Sequence, residues 1–111
     1  MRKVLSESEM TPGALSAIVN YHPTVVEEIL NATKSNEWVI VGMAQNPVVK
    51  KARRYLEERN IKYHYISHGS YFSEWKKRLA IKLWSGWPTF PQVFHHGKLV
   101  GGAADLMKYL P

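Results

Sequence analysis

The stretch that decides the fold of this chain runs from residue 87 to residue 102 and reads Trp87-Pro88-Thr89-Phe90-Pro91-Gln92-Val93-Phe94-His95-His96-Gly97-Lys98-Leu99-Val100-Gly101-Gly102. A proline-broken loop leads into two short apolar runs, and His96-Gly97 separates those runs as a tight turn. Gly101-Gly102 ends the second run, and glycine at the end of a strand is typical of places where another group approaches the backbone. The stretch therefore predicts a loop followed by a β-hairpin whose end lies close to another group.

The composition predicts one globular domain. The chain has 111 residues, of which 45% are hydrophobic and 22% charged, and a chain of this length buries roughly two-thirds of its unfolded surface. Ser6, Glu7 and Glu9 occur where a signal peptide needs an apolar core, and no apolar run approaches the roughly 20 residues of a membrane span. We therefore expect a cytoplasmic protein without membrane segments.

Cysteine is absent from the chain, and the formal net charge is +6. The lack of thiols excludes disulfides, thiolate metal ligands, iron–sulfur ligation by the chain and a cysteine nucleophile. Any thiol chemistry would therefore need a borrowed thiol. The positive charge permits an acidic partner, but a modest excess of lysine also serves solubility, which is the interpretation that we favour.

The first part of the chain predicts a helix and then a strand behind a weakly patterned lead segment. Residues 1–23 form the lead segment. Thr24 and Glu27 have the spacing of a capping box, which predicts a helix that ends near Thr33. Trp38-Val39-Ile40-Val41 is an apolar run and predicts a short buried strand.

The middle of the chain predicts a second helix and a second strand. Asn46-Pro47 pairs a preferred N-cap residue with a proline at the first helical position, so a helix begins here. Asn60 is suited to end that helix in a left-handed conformation, and Ile61, Tyr63 and Tyr65 then alternate with polar residues as in a half-buried strand. The predicted apolar face of the helix consists of Val48, Val49, Ala52, Tyr55 and Leu56.

The last part of the chain predicts two helices on either side of the hairpin. One runs over about Tyr71–Leu83, and the other over Ala103–Leu110. The element order becomes helix, β, α, β, α, β, β, α. Because strand–helix–strand units favour parallel crossovers and the hairpin adds antiparallel strands, we predict an α/β fold with a mixed four-stranded sheet flanked by helices. The predicted buried stripe of the first of these helices is Phe72, Trp75, Leu79 and Leu83, and that of the second is Leu106, Met107 and Leu110.

Residues 87–94, together with residues 97–102, closely resemble the glutaredoxins, and the form Trp-Pro-Thr-aromatic-Pro-Gln is most similar to their monothiol branch. The resemblance covers about residues 38–110. It implies the thioredoxin fold, in agreement with the element order, and a division into the lead segment 1–23 and a glutaredoxin-like domain, 24–111.

In glutaredoxins a Cys-Pro-x-Cys or Cys-Gly-x-Ser motif follows the first strand, and the resemblance places Asn46 at the nucleophilic cysteine and Val49 at the resolving one. A thiolate at a helix N-terminus is stabilised by free N–H groups and by the helix dipole. The amide of Asn46 can accept those N–H groups, but it is not a nucleophile. We therefore expect no catalytic residue in the chain, and no iron–sulfur cluster of the kind that monothiol members share through this cysteine and glutathione.

The resemblance also implies a glutathione site. Thr89-Phe90-Pro91 matches the segment whose central residue pairs its backbone with the cysteinyl part of glutathione, and Pro91 is expected to be cis. Lys82 matches a basic residue that can contact a carboxylate of glutathione. Gly101-Gly102 matches the pair whose following backbone meets the γ-glutamyl end.

Two departures from the family pattern predict weak affinity at that site. The lysine usual before the cysteine falls at Ala44, and the first acidic residue after the glycine pair falls at Ala104, which leaves Asp105 as the nearest carboxylate. Each lost charged hydrogen bond typically costs roughly 1.5–3 kcal/mol, so the loss of both would lower affinity by about two orders of magnitude or more.

Two further groups of residues suggest other partners. The basic runs 50–54 and 76–78, with aromatic neighbours, could bind phosphates and bases, but their helical spacing favours a solvated face, and we do not expect a nucleic-acid partner. The pairs His64/His68 and His95/His96 could ligate a metal. Because neighbouring strand residues point to opposite faces and no carboxylate accompanies these pairs in the sequence, we expect no metal site.

The sequence thus predicts a cysteine-less, redox-inactive glutaredoxin-like binding module. Its expected ligand is glutathione, a thiol-bearing peptide or a partner protein. One alternative is an enzyme that uses the thiol of bound glutathione, with the helix terminus at Asn46 stabilising the thiolate. The other is a nucleic-acid-binding module that uses basic helix faces. The residues expected to bind the ligand are Lys82, Thr89, Phe90, Pro91, Gly101, Gly102 and Asp105.

Overall fold

A computed structural model describes residues 2–70 and 73–111 of the chain. A short 3-10 helix at Glu7–Glu9 precedes the regular elements. These follow in the order α1 (Pro12–Val19), α2 (Pro23–Ser35), β1 (Trp38–Gly42), α3 (Pro47–Glu58), β2 (His64–Ser67), α4 (Trp75–Ser85), β3 (Gln92–His95), β4 (Lys98–Gly101) and α5 (Ala103–Tyr109).

The four strands form one sheet in the order β2-β1-β3-β4. Strands β1 and β2 run parallel, with Val39 opposite His64. Strand β3 is antiparallel to β1, with Trp38 opposite His95, and β4 is antiparallel to β3. The predicted mixed four-stranded sheet is therefore confirmed, and the parallel pair is joined by a helical crossover.

The two faces of the sheet carry two hydrophobic cores, because successive residues of a strand point to opposite sides. Val39 and Val41 of β1 pack in one core with residues of α2 and α4, including Ile29 and Ile81. Ile40 packs in the other core with residues of α3 and α5. All five residues of β1 are buried, so helices cover the sheet on both sides.

Helix α2 confirms the first predicted helix but not its predicted cap. The residue before the helix is His22, which has a φ of 46°, and Pro23 occupies the first turn. Thr24 lies inside that turn, so the predicted capping box of Thr24 and Glu27 is wrong. Proline has φ fixed near the helical value and needs no N–H partner, which explains why the helix begins one residue earlier.

Helix α3 begins and ends as predicted. Asn46 is its N-cap, Pro47 is at the first helical position, and Asn60 has a φ of 56° just after the helix. Val48 was predicted on the apolar face but is 46% exposed, because it lies about 100° around the helix from its buried neighbour Val49. Tyr65 lies in β2, which begins only at His64, although Ile61 and Tyr63 before it are half-buried as predicted.

Helix α4 presents a different face to the core from the predicted one. Trp75, Leu79 and Leu83 are 57%, 37% and 64% exposed, while Ala80 and Ile81 are buried. The predicted buried stripe is therefore wrong for these three residues, and Phe72 lies outside the described residues, as does the predicted start at Tyr71. Two sets of positions on this helix have helical spacing, and the set that contains Ala80 and Ile81 faces the core. That set is Lys77, Ala80, Ile81 and Trp84.

The hairpin and the last helix agree with the predictions. His96 and Gly97, with φ of 50° and 78°, form the turn between β3 and β4, and two successive positive φ angles are the signature of a type I′ turn. In α5, Leu106 is buried, while Met107 and Leu110 are half-buried near its end. The hairpin thus closes one edge of the sheet and leads directly into α5.

The lead segment contributes little to either core. Within residues 2–20 only Met10 and Leu15 are half-buried, and every other residue is exposed. The boundary between a lead segment, 1–23, and a domain, 24–111, stays a prediction. Across residues 2–70 and 73–111, no helix combines the length and the apolar character that crossing a membrane requires.

Candidate functional site

The start of α3 is the first part of the candidate site. The side chain of Asn46 caps this helix N-terminus. The Oδ1 atom of Asn46 accepts hydrogen bonds from the backbone nitrogens of Val48 at 2.9 Å and Val49 at 3.0 Å. Two of the four N–H groups that a helix leaves free at its N-terminus are therefore satisfied by the chain itself. Asn46 fulfils the predicted capping role.

The loop before Asn46 is held by the segment after β2. The backbone nitrogen of Ala44 donates to the carbonyl of Gly69 at 2.7 Å, and that of His68 donates to the carbonyl of Gly42 at 3.0 Å. The guanidinium of Arg78 donates to the carbonyls of His68 and Ser73. Arg78 is buried, so a cation of α4 fixes the segment on which the Asn46 loop rests.

The loop before β3 is the second part of the site. The Phe90–Pro91 peptide bond is cis, as predicted. The Phe90 side chain is buried in the core that also contains Met43 and Val49, whereas Thr89 is exposed. Thr89 therefore lies at the surface, whereas Phe90, the residue expected to pair its backbone with a ligand, is only 8% exposed and anchors the loop in the core.

Lys82 lies beside this loop. Its Nζ is 5.6 Å from the centre of the Phe90 ring, a distance typical of a cation–π contact. The side chain is half-buried. The structure thus brings together two of the predicted site residues that are separated by eight positions in the sequence.

Gly101-Gly102 forms the third part of the site. Gly101 has a φ of 125°, and a Cβ there would lie 2.8 Å from the Cγ of Asp105, so only glycine fits without strain. The backbone nitrogen of Gly102 donates to the Oδ2 of Asp105 at 3.0 Å. A Cβ on Gly102 would lie 3.8 Å from the carbonyl oxygen of Pro91, which places the glycine pair next to the cis-proline loop.

Asp105 therefore has a structural role that the sequence analysis did not foresee. Its carboxylate caps the start of α5 by accepting the N–H of Gly102, in the manner of the acidic residue of a capping box. One carboxylate oxygen of Asp105 already accepts a hydrogen bond from the chain. Asp105 therefore has fewer free acceptor positions for a ligand than an unengaged carboxylate has.

Gln92 supports the loop, and the sequence analysis did not assign it this role. It is fully buried, and its Nε2 donates to the carbonyl of Trp87 at 3.0 Å. The sequence signal for this supporting role is a polar residue directly after the Phe90–Pro91 pair, at the start of a strand whose next two residues are apolar.

Some side chains of the two basic runs have partners within the chain. Arg53 donates through Nε to the hydroxyl of Tyr63 at 3.0 Å, which raises its pKa above the ordinary value, and its guanidinium lies 3.8 Å from the centre of the Tyr65 ring. Lys77 pairs with Glu74 at 2.8 Å. Lys50, Lys51 and Arg54 are exposed on α3, so these contacts engage only part of the basic surface.

Three of the histidines, His68, His95 and His96, have carboxylate partners, contrary to the expectation from the sequence. His68 is 3.1 Å from Glu28. His95 and His96 direct their Nε2 atoms at the same oxygen of Glu37, at 3.0 and 3.4 Å. The hydrogen bond to His95, together with the charges of both imidazoles, lowers the pKa of Glu37. The premises of the predicted absence of a metal site were therefore wrong, because His96 lies in the turn rather than on the strand and Glu37 accompanies both histidines.

A mixed four-stranded sheet, with a cis-proline loop anchored next to the start of the helix that follows β1, defines a protein of the thioredoxin fold. Solved glutaredoxins have the same architecture. The buckwheat glutaredoxin–glutathione complex matches with a TM-score of 0.66 and 20% identity, over 78% of each chain. Oxidized glutaredoxin 2 from Chlamydomonas reinhardtii matches with a TM-score of 0.64 and 25% identity, over 75% of this chain and 78% of the other.

The sequence comparisons agree with the fold. Residues 47–100 match the family model for glutaredoxin. The chain is 42% identical over 109 residues to a glutaredoxin-like protein of Dictyostelium discoideum, which covers 98% of this chain and 87% of that protein. It is also 34% identical to glutaredoxin 3 of Danio rerio over 71 residues, 62% of this chain and 21% of that protein. The chain belongs to the glutaredoxin family, and it has no cysteine.

Proposed function

We propose that the chain is a redox-inactive glutaredoxin-like module that binds glutathione, or a thiol-bearing peptide of similar shape, weakly and without thiol chemistry of its own. The observation that carries the proposal is the preserved backbone part of the groove. The exposed Thr89 precedes the cis Phe90–Pro91 bond, and Gly102 lies against the carbonyl of Pro91. An extended peptide can pair with such an exposed backbone edge by strand addition.

The charged part of the groove supports weak rather than tight binding. Lys82, beside Phe90, is placed to contact one carboxylate of a peptide ligand. Asp105 is engaged by Gly102, and Ala44 and Ala104 supply no charge. Because each missing charged hydrogen bond typically costs roughly 1.5–3 kcal/mol, we expect affinity in the millimolar range rather than tighter.

The family implies two groups that could bind here, glutathione and an iron–sulfur cluster, and the residues present suit only the first. Glutathione fits the backbone donors and acceptors at residues 89–91 and the glycine pair. An iron–sulfur cluster does not fit the donor set, because Asn46 stands where a thiolate ligand is required and the chain has no cysteine. Since glutathione keeps cytosolic thiols reduced, the proposal includes a cytoplasmic location.

The enzyme alternative is disfavoured by the geometry at Asn46. A glutathione thiolate would need the N–H groups of Val48 and Val49, which Asn46 already occupies at 2.9 and 3.0 Å. The nucleic-acid alternative has less support, because the exposed Lys50, Lys51 and Arg54 occupy the outer face of α3 as on an ordinary solvated helix. The binding module therefore stays our first proposal.

A titration of isotope-labelled protein with glutathione, followed by backbone amide chemical shifts, tests the proposal. We expect saturable shifts at Phe90 and Gly102 at millimolar ligand. The substitution Lys82→Ala should weaken the shifts, whereas Lys50→Ala, which removes an exposed cation on α3, should leave them unchanged. A lack of shifts at millimolar glutathione would overturn the proposal.

S-methylglutathione separates the module from the enzyme alternative. Because the proposed groove recognises backbone and carboxylate groups, the methylated ligand should produce shifts of the same size. If only glutathione with a free thiol binds, and Asn46 shifts most strongly, the enzyme alternative replaces the binding module.

A further inference from the structure

At the opposite end of β1 from Asn46, three side chains of types that can ligate metals lie close together. They are Glu37, just before β1, His95, the last residue of β3, and His96, the first residue of the turn. One ligand atom of each can be chosen such that all lie within 4.8 Å of one another. We propose that these residues form a binding site for a divalent transition-metal cation of the zinc class, with two imidazole nitrogens and one carboxylate oxygen as protein ligands.

Two of the three distances between the donor atoms fit tetrahedral coordination. Bonds of about 2.0–2.1 Å at tetrahedral angles place neighbouring ligand atoms roughly 3.3 Å apart. The Nε2 atoms of His95 and His96 lie 3.0 and 3.4 Å from the Oε2 of Glu37. A cation can therefore replace the protons between these atoms with small movements of the side chains.

The backbone fixes two of the three ligands relative to each other. The nitrogen of His96 donates to the carbonyl oxygen of Glu37 at 2.8 Å, which continues the ladder in which Trp38 faces His95. Glu37 and His96 thus face each other where the β1–β3 ladder ends, although they are 59 positions apart in the chain. The cluster is a consequence of the β1–β3 register and not a chance meeting of mobile side chains.

The imidazole of His95 is oriented by its neighbours as metal-binding imidazoles usually are. Its Nδ1 is 2.6 Å from the hydroxyl of Tyr109, and its ring stacks on Trp38 with a centroid distance of 3.9 Å. The hydroxyl oxygen of Tyr109 can accept a hydrogen bond from Nδ1–H, and the tautomer with that proton leaves Nε2 available to a metal. Tyr109 is therefore assigned as the outer-shell partner of His95.

The site has room for a fourth ligand. Glu37 and His95 line a hollow of about 640 Å³, and Glu37 and His96 line a second hollow of about 500 Å³ on the other side. The side chains of His96 and Glu37 are 67% and 58% exposed, so the fourth position opens to solvent. A water molecule, or a donor from another molecule, completes the tetrahedron.

Binding of Zn²⁺ to the full chain, produced without a polyhistidine tag and measured by competition with a chromophoric chelator, tests the site. Loss of an outer-shell partner typically lowers metal affinity roughly 10–100-fold. We therefore expect His96→Asn and Glu37→Gln each to lower affinity at least about tenfold, since a direct ligand matters no less than its partner. Tyr109→Phe should lower it within that range.

His68→Asn provides the matched control. His68 also contacts a glutamate, Glu28, at 3.1 Å, but the described residues contain no group of three ligands around it. This variant should bind Zn²⁺ as the unmodified chain does. Since His96 and Glu37 are exposed, the far-ultraviolet spectra of their variants should match that of the unmodified chain.

Three results would overturn the proposal. They are no binding at about 1 mM Zn²⁺, which corresponds to less than about 4 kcal/mol, unchanged affinity in both ligand variants, or an equal loss in His68→Asn. A supporting readout is thermal stability, since a ligand at a hundredfold excess over Kd should raise the Tm of a domain of this size by roughly 12 °C. None of these results depends on the proposed binding of glutathione.

Discussion

The Oδ1 atom of Asn46 lies 2.9 Å from the backbone nitrogen of Val48 and accepts its hydrogen bond. In a glutaredoxin with an active-site cysteine, this N–H group belongs to the helix start that stabilises the thiolate. In this chain an uncharged amide uses it instead. Asn46 therefore caps the helix N-terminus without offering a nucleophilic atom there.

Removal of this cap should destabilise the fold. We expect Asn46→Ala to lower the free energy of unfolding by about 1 kcal/mol, because two backbone N–H groups at the start of α3 lose their acceptor. Asn46→Asp keeps the acceptor and adds a favourable charge at the helix N-terminus, so its stability should equal or exceed that of the unmodified chain. Urea denaturation followed by circular dichroism measures both changes.

Asn31→Ala is the control for the cap. Asn31 is exposed within α2 rather than at a helix start, and alanine has the higher helix propensity there. This variant should be at least as stable as the unmodified chain. Equal stability of Asn46→Ala and Asn31→Ala would contradict the importance of the cap.

Restoring the cysteine alone should restore little glutaredoxin activity. In Asn46→Cys the thiol would lie at a helix N-terminus, which favours the thiolate, but Ala44 and Ala104 would still lack the charges that hold glutathione. The double substitution Asn46→Cys with Ala44→Lys should therefore be more active than Asn46→Cys. A glutathione-dependent thiol-transfer assay makes the comparison, and full activity of Asn46→Cys would show that the two alanines do not limit binding.

Local signals in the sequence predicted the elements that carry the site. Asn46-Pro47 marks a helix start because one residue supplies an acceptor and the next supplies a fixed φ. His96-Gly97 marks a hairpin because both residues tolerate a positive φ. Each of these features depends on neighbours within a few positions, and the structure confirms both.

Features that depend on distant residues could not be predicted in the same way. The proximity of Glu37 to His95 follows from the pairing of β1 with β3, and a sequence does not state that register. The buried face of α4 is a similar case, because two sets of residues share helical spacing and only the packing against α2 and the sheet selects between them. Asp105 was expected to contact a ligand, but its carboxylate caps α5 instead. The spacing in the sequence is compatible with either role.

Gly101 should not tolerate a side chain. We expect Gly101→Ala to lower the free energy of unfolding by about 1–3 kcal/mol, because its φ of 125° is strained for alanine and the new Cβ would lie 2.8 Å from the Cγ of Asp105. The same substitution should abolish the glutathione-dependent shift at Gly102. Thermal or urea unfolding and the amide titration measure the two effects.

Gly13→Ala is the matched control for that substitution. Gly13 lies in α1, and nothing comes within 4 Å of the position that its Cβ would take. Alanine there should raise the free energy of unfolding by about 0.4–1 kcal/mol. If both glycine substitutions shifted stability in the same direction, the assigned strain at Gly101 would be wrong.

Helix α4 offers the sharpest test of the packing against the sheet. Ile81 is fully buried, whereas Leu83, two positions later, is 64% exposed. Because truncation of a buried side chain loses its burial and leaves a cavity, Ile81→Ala should lower the free energy of unfolding by about 2–5 kcal/mol. Leu83→Ala should change it by no more than about 0.5 kcal/mol. Urea denaturation of the two variants distinguishes the faces of the helix. A larger loss for Leu83→Ala than for Ile81→Ala would mean that the face with Trp75, Leu79 and Leu83 packs against the core.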